Sequence, residues 1–283
     1  MIAAAVERVR ANLSVHWPGL ARGLFALYLP MLVAWGSQPD ARGQLVAALG
    51  IVIASMVGVM ALGLSRTLLF LAIVLPVSLG IENIGVATGF PFGAYHFQAS
   101  QFSLWVGRVP LLVGMLYFGV GLLSWLIAGI LLDGRGDAML RPVIAACLMV
   151  LWDLVMDPSF STIGKVWIWH EGGVFFGVPL LNFAGWFLTT WIMFQLFALA
   201  LRRMPESDGG APRSAQLAAT LLYMGIGLSP LVPFFTSGDA KLVDGAGHVW
   251  LTHHIQGVSA LLGFCTMGLV SAVSLSKLRR SFH

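Results

Sequence analysis

The sequence predicts an all-α, polytopic transmembrane helical bundle. Three observations lead to this prediction: 58% of the 283 residues are hydrophobic, only 10% are charged, and the mean hydropathy is +0.87. Soluble domains carry about 25% charged residues. A water-soluble fold of this size could not hide so much apolar surface, so we expect a single integral-membrane domain over residues 1–283.

About eight stretches are apolar over a length close to that of a spanning helix, which needs roughly 20 residues. They lie near residues 20–36, 45–64, 67–83, 109–132, 140–157, 179–201, 215–235 and 254–276. The first and third stretches are short, so a count of seven spans is also compatible with the sequence.

The distribution of Lys and Arg predicts the orientation. With eight spans both termini share one side, and that side holds twelve of the 16 basic residues. Cytoplasmic loops carry the excess of Lys and Arg, so both termini are predicted to be cytoplasmic. The same preference accounts for the net charge of +4. No basic stripe interleaved with aromatic residues is present, and we expect contacts with membrane lipids rather than nucleic acid.

The first polar segment on the opposite side runs from Glu82 to His96, with the sequence ENIGVATGFPFGAYH. Glu82 and Asn83 are predicted to close the third helix, because Gly and Pro follow them. A carboxylate at membrane depth is costly unless it is paired, protonated or functional. The alternative is that Glu82 lies in water at the membrane interface.

The second segment is WDLVMDP, from Trp152 to Pro158. Asp153 and Asp157 are four residues apart, so a helix places them on one face. Two carboxyl groups in a low-dielectric site cannot both ionise easily, which is the arrangement of an acid/base pair. The alternative is that Asp157 only caps the helix near Pro158.

The third segment, residues 164–186, is dense in aromatic residues and contains His170, Glu171 and Asn182. Pro179 suits the start of the next helix. An interfacial belt of Trp side chains and an interhelical hydrogen bond from Asn182 are the alternatives to a functional site. His253 and His254 point to different helix faces, so we predict no metal site and no cofactor.

Taken together, these residues resemble a known family. The pattern Glu-Asn-x-Gly-x-x-Thr-Gly-x-Pro-Phe-Gly-x-Tyr that begins at Glu82, the run from Trp152 to Pro158, and the pattern Gly-Val-Pro-x-x-Asn-Phe-x-Gly-Trp that begins at Gly177 resemble membrane carotenoid biosynthesis proteins of the CruF type, which are carotenoid 1',2'-hydratases. The resemblance spans the third to the sixth helix. It implies addition of water to the terminal double bond of a ψ-end carotenoid, lycopene-like or γ-carotene-like, which enters from the bilayer. We expect the protein in a bacterial inner membrane.

The residues suggest a role for each part of such a reaction. Asp153 is the predicted proton donor, with Asp157 or Glu82 as its charge partner, because a dry carboxylic acid can protonate carbon. Aromatic faces would stabilise the cation, and a polar group would orient the water. The predicted substrate-binding residues are Tyr95, Trp152, Trp167, Trp169, Phe175 and Asn182, and the predicted water-orienting residues are His96, His170 and Glu171.

Three other functions remain open at this point. A carotenoid end-group cyclase would use the same proton donor but exclude water. A membrane prenyltransferase would use the Asp153-x-x-x-Asp157 spacing for magnesium, although no second Asp-rich motif is evident. A proton-coupled or ion-coupled transporter also uses intramembrane carboxylates, although the sequence shows no inverted repeat.

Overall fold

The computed structural model of the protein describes residue 23 and residues 25–99, 104–134, 138–204 and 210–280. Within these residues, seven helical segments are long and apolar enough to cross a membrane, which confirms the predicted helical bundle. The helices are α1 Phe25–Trp35, α2 Ala41–Leu62, α3 Leu64–Thr88, α4 Leu111–Leu131, α5 Leu140–Asp157, α6 Leu180–Leu201, α7 Arg213–Leu228, α8 Leu231–Thr236, α9 Thr252–Leu262 and α10 Leu269–Arg280.

Three of the long segments join shorter pieces. A π-helix, Pro158–Ile163, continues α5, and a second one, Gly263–Gly268, joins α9 to α10. α7 and α8 form one apolar segment, Arg213–Thr236. The predicted first span, 20–36, lies partly outside the described residues. Its described part contains α1, which is roughly 16 Å long at 1.5 Å per residue.

The predicted end of the third helix was wrong. α3 runs through Gly85 to Thr88 and ends only at Gly89, whose φ of 81° is left-handed. A glycine without a left-handed conformation does not stop a helix. Glu82 therefore lies inside the helix, more than one turn before its end.

α5 ends at Asp157, as the stretch 140–157 predicted, but the π-helix that follows it was not predicted. Proline lacks the N–H of a helical hydrogen bond, but its φ of −59° fits the helix, and the backbone continues in the wider π form. Single π turns inside α-helices are frequent at functional sites. This one carries the chain from Asp157 directly into the next polar segment.

α4 is the central helix of the bundle. In the most apolar stretch of α4, 78% of the residues are buried inside the protein, whereas the corresponding share is 28% in α2 and 28% in α3. Small residues allow neighbouring helices to approach closely. A Cβ added at Gly119 would lie 3.3 Å from the side chain of Ile51 on α2, and one added at Gly114 would lie 2.9 Å from Leu79 on α3.

Short antiparallel strand pairs cover one end of the bundle. They are β1 Tyr95–Phe97 with β4 Trp167–Trp169, β2 Trp105–Val106 with β3 Val109–Pro110, and β5 Lys241–Val243 with β6 Val249–Leu251. At the opposite end, Lys277 on α10 bonds Asp133 and the carbonyl of Leu131, both at 2.8 Å. The strand-covered end is the one predicted to face away from the cytoplasm.

Candidate active site

Four buried polar side chains meet beneath the β1–β4 strand pair. Glu82 projects from α3, Asp153 and Asp157 from α5, and Asn182 from the first turn of α6. Their exposed fractions are 4%, 3%, 2% and 1%, respectively. Buried polar groups need hydrogen-bond partners, and buried carboxyl groups need them most.

Asn182 links the two aspartates. Its Nδ2 donates to Asp153 Oδ2 at 2.8 Å and to Asp157 Oδ2 at 2.7 Å. The four-residue spacing on α5 therefore does place both carboxyl groups at one point, as the sequence predicted. Pro179 precedes α6 with an extended backbone, which sets Asn182 in the first helical turn.

The two aspartates differ in how many hydrogen bonds they accept. Asp157 Oδ1 accepts from Trp167 Nε1 at 3.0 Å and from Trp169 Nε1 at 3.4 Å, in addition to the bond from Asn182. Among the described residues, Asp153 accepts only the bond from Asn182. Both oxygens of Asp157 are thus engaged, whereas Oδ1 of Asp153 is not.

Two tyrosines hold the third carboxyl group. Glu82 accepts hydrogen bonds from the hydroxyls of Tyr95 on β1 and Tyr117 on α4, the latter at 2.8 Å. Burial, followed by the charge of Glu82, raises the pKa of Tyr95 well above its usual range. Tyr95 therefore remains protonated and acts as a donor to Glu82.

Two glycines allow the loop that carries Tyr95 to close on the helices. A Cβ at Gly85 would lie 2.7 Å from the ring of Phe92 and 3.1 Å from the hydroxyl of Tyr95. A Cβ at Gly185 on α6 would lie 2.6 Å from the other side of the same ring. Phe92 is wedged between α3 and α6, and this contact brings Tyr95 to Glu82.

A long apolar cavity of about 130 Å³ leads to the cluster. Its lining includes a row on α2 from Gly43 to Ala54 and a row on α4 from Leu112 to Leu123. Each row covers roughly 16 Å of helix at 1.5 Å per residue. Asp153 and Asp157 lie at the end of the cavity nearest the strands.

A small cavity of about 50 Å³ lies on the far side of the cluster. Glu82, Tyr95 and Asn182 line this small cavity but not the long one, whereas Asp153 lines only the long cavity. Asp157 lines both. The aromatic side chains that line both cavities are Trp152, Trp167 and Trp186.

A family model described as carotenoid biosynthesis protein matches residues 42–235. The chain belongs to the carotenoid biosynthesis protein family. The match contains all four members of the polar cluster and confirms the resemblance inferred from the sequence. Bisanhydrobacterioruberin hydratase of Haloarcula japonica is 34% identical over 181 residues, which are 61% of this chain and 59% of that protein. The chain thus spans less than two thirds of that relative. No solved structure matches.

The structure of this carotenoid biosynthesis protein brings most of the predicted residues together. Asp153, Asp157, Glu82 and Asn182 form the cluster, and the predicted aromatic residues that line one or both cavities are Tyr95, Trp152, Trp167 and Trp169. Their roles in a reaction stay predictions.

Four predicted residues lie elsewhere. His96 and His170 are exposed and contact each other, with Nδ1 and Nε2 2.7 Å apart. Glu171 is exposed beside them. Phe175 packs against Phe183 with ring centroids 5.5 Å apart. None of the four lines either cavity. For His96 the reason is the period of two along β1, which turns His96 outward while its neighbour Tyr95 turns inward.

Tyr117 and Trp186 of this carotenoid biosynthesis protein also belong to the site, although no role was predicted for them from the sequence. Tyr117 stacks on Trp186, with ring centroids 4.1 Å apart and planes 2° apart, and Trp152 meets Trp186 edge-on at 5.4 Å. The hydroxyl of Tyr117 in the middle of an apolar span was the available signal, since a polar group at membrane depth needs a partner.

Proposed function

We propose that this carotenoid biosynthesis protein adds water to the terminal 1',2' double bond of a ψ-end carotenoid, lycopene-like or γ-carotene-like, to give a 1'-hydroxy carotenoid. The observation that carries the proposal is the set of buried carboxyl groups at the end of a long apolar cavity. The similarity to a protein named as a carotenoid hydratase supports the same reaction.

Asp153 is the proposed proton donor. The π electrons of the double bond take its proton at C2', which leaves a tertiary cation at C1'. Asp153 lines the long cavity, and its Oδ1 accepts no hydrogen bond from the described residues. That oxygen is therefore free to carry a proton toward a bound hydrocarbon. General acid catalysis of this kind contributes about 10²–10⁴-fold to the rate.

Asp157 and the surrounding rings stabilise the cation. Three hydrogen bonds fix Asp157 as an acceptor at the boundary of the two cavities. A preorganised charge aimed at the place where the opposite charge develops is usually the largest contribution to catalysis. The faces of Trp152 and Trp186 add about 0.5–2 kcal/mol each through cation–π contacts.

The polyene enters from the bilayer and lies along the rows of α2 and α4. Apart from Gln44, those rows are apolar, so they suit a hydrocarbon chain. Only the terminal isoprene unit reaches the polar cluster. The proposed location is a bacterial inner membrane, with the cluster near the outer leaflet, as the distribution of Lys and Arg indicates.

The test is expression in bacteria that make lycopene, with mass spectrometry of the extracted carotenoids. We expect a product heavier by one water from the wild-type chain, and none from Asp153→Asn. The matched control is Asp239→Asn, which removes an exposed carboxyl group in the loop after α8. A wild-type product of unchanged mass with a ring at its end would indicate a cyclase instead, and unchanged carotenoid would refute both.

A further inference from the structure

We infer that the small cavity is the chamber that holds the attacking water, and that Glu82 is the base that receives its proton. The inference rests on the proposed hydration and assigns its second half to residues separate from the proton donor. It moves the water-orienting role from the exposed histidines to the buried Glu82.

The size and the lining of the small cavity suit water. A cavity needs roughly 10–15 Å³ of free volume, and two to four polar partners, to hold one water molecule. This cavity has about 50 Å³ and is lined by Glu82, Asp157 and Asn182. The amide oxygen of Asn182 accepts no hydrogen bond from the described residues, since both of its recorded side-chain bonds are donated by Nδ2. The rest of the lining is aromatic or aliphatic and limits the number of waters; it consists of Phe92, Tyr95, Phe97, Val113, Leu116, Trp152, Trp167, Trp169 and Trp186.

The order of the carboxyl groups matches the order of the atoms that they would serve. A carotenoid lying in the long cavity with its end toward the cluster presents C2' first and C1' beyond it. Asp153, which lines only the long cavity, is therefore beside C2'. Glu82, which lines only the small cavity, is beyond C1'. Proton delivery and water delivery thus come from opposite sides of the same terminal unit.

Two tyrosine hydroxyls keep Glu82 in place for this role. Tyr95 and Tyr117 donate to its two carboxyl oxygens, so a carboxylate is held with a fixed orientation. His96 and His170 lie on the outer side of the strands and line neither cavity. Water that they orient would not reach C1'.

The complete step balances. The double bond takes a proton from Asp153 to form the C2'–H bond, and a lone pair of the water oxygen forms the C1'–O bond. The resulting oxonium loses one proton to the Glu82 carboxylate. Return of that proton to Asp153 by way of Asp157, which lines both cavities, restores both groups, and the net change is the addition of one H₂O.

Isotope exchange separates the two halves of the reaction. In D₂O, a cation that is formed but not captured by water loses a proton and returns an alkene, which carries deuterium without a gain of water. We therefore expect Glu82→Gln to lower the rate of hydration by about 100-fold, while deuterium still enters the unhydrated carotenoid. Asp153→Asn should abolish both the gain of water and the incorporation of deuterium, and Asp239→Asn should keep both.

The measurement is mass spectrometry of carotenoid incubated with membranes that contain each variant, with protein levels matched by immunoblot. Tyr117→Phe removes a single hydrogen bond to Glu82 and should lower hydration by about tenfold with exchange retained. If Glu82→Gln fails to accumulate in the membrane, the result with Tyr117→Phe tests whether Glu82 is the base.

Two results would overturn the inference. Equal loss of hydration and exchange in both Glu82→Gln and Tyr117→Phe would place Glu82 in the protonation step, and undiminished hydration in these variants would place the water elsewhere. Absence of hydrated product from the wild-type chain would instead refute the proposed function itself.

Discussion

The two faces of the β1–β4 strand pair differ sharply although their residues alternate along the chain. On the inner face, Tyr95 and Trp169 are buried and donate hydrogen bonds to Glu82 and Asp157. On the outer side, His96 and His170 contact each other in an exposed position. The difference teaches that the histidines near this strand pair, although histidine is common in catalysis, are not the residues that the fold delivers to the cavities. Burial and hydrogen bonding to a carboxylate identify the site better than residue type does.

The largest effect is expected where the inner face meets the helices. Asn182→Leu removes the amide that donates to both Asp153 and Asp157. Asp157 keeps the bonds from Trp167 and Trp169, but Asp153 loses its one donor among the described residues. Leaving a buried carboxyl group without a partner costs about 3 kcal/mol of stability, and the lost positioning should lower hydration by about 100-fold or more. Thermal unfolding in detergent and product analysis check the two effects. Wild-type stability in this variant would show that the amide does not hold the cluster.

An intermediate effect is expected where the strands are held to the bundle. Gly85→Ala places a methyl group against Phe92 and Tyr95, which must shift and loosen the bond to Glu82. We expect hydration to fall by about tenfold, the rate change that corresponds to the loss of about 1.4 kcal/mol. The matched control is Gly80→Ala on the same helix, where an added Cβ meets nothing within 4 Å. Alanine there should leave activity unchanged and favour the helix by about 1 kcal/mol; equal effects of the two changes would contradict the wedge argument.

The smallest effect is expected on the outer face. His96→Ala and His170→Ala remove exposed side chains that line neither cavity. Stability should change by less than about 0.5 kcal/mol, and hydration should stay near that of the wild-type chain. Activity assays of both single variants check this. A large loss of hydration activity in either variant would show that the histidines take part in the reaction and would contradict the difference between the two faces.

Much of the helical architecture could be predicted from the sequence, because apolar length and the positions of Lys and Arg report directly on a bilayer. The pairing of Asp153 with Asp157 was equally accessible, since helical periodicity alone places residues four apart on one face. The continuation of α3 past Gly85, and that of α5 into a π-helix at Pro158, could not be predicted. Glycine and proline only remove a preference or one hydrogen bond, and packing decides whether the helix goes on.

The partners of Glu82 could not be predicted for a different reason. Tyr117 lies 35 residues further along the chain, and its contact with Glu82 depends on how α3 packs against α4. Similarly, the inward turn of Tyr95 depends on the register of β1 with β4, which pairs Tyr95 with Trp169. A shift of one residue would have turned His96 inward instead.

In the proposed reaction, the long cavity between the rows of α2 and α4 also determines the order of events for a symmetrical polyene. Such a molecule can offer only one terminus per visit, because the rest of its chain occupies the cavity. It must withdraw completely and reverse before its second terminus can react. A half-modified intermediate should therefore build up early in a time course, before any doubly modified carotenoid is formed.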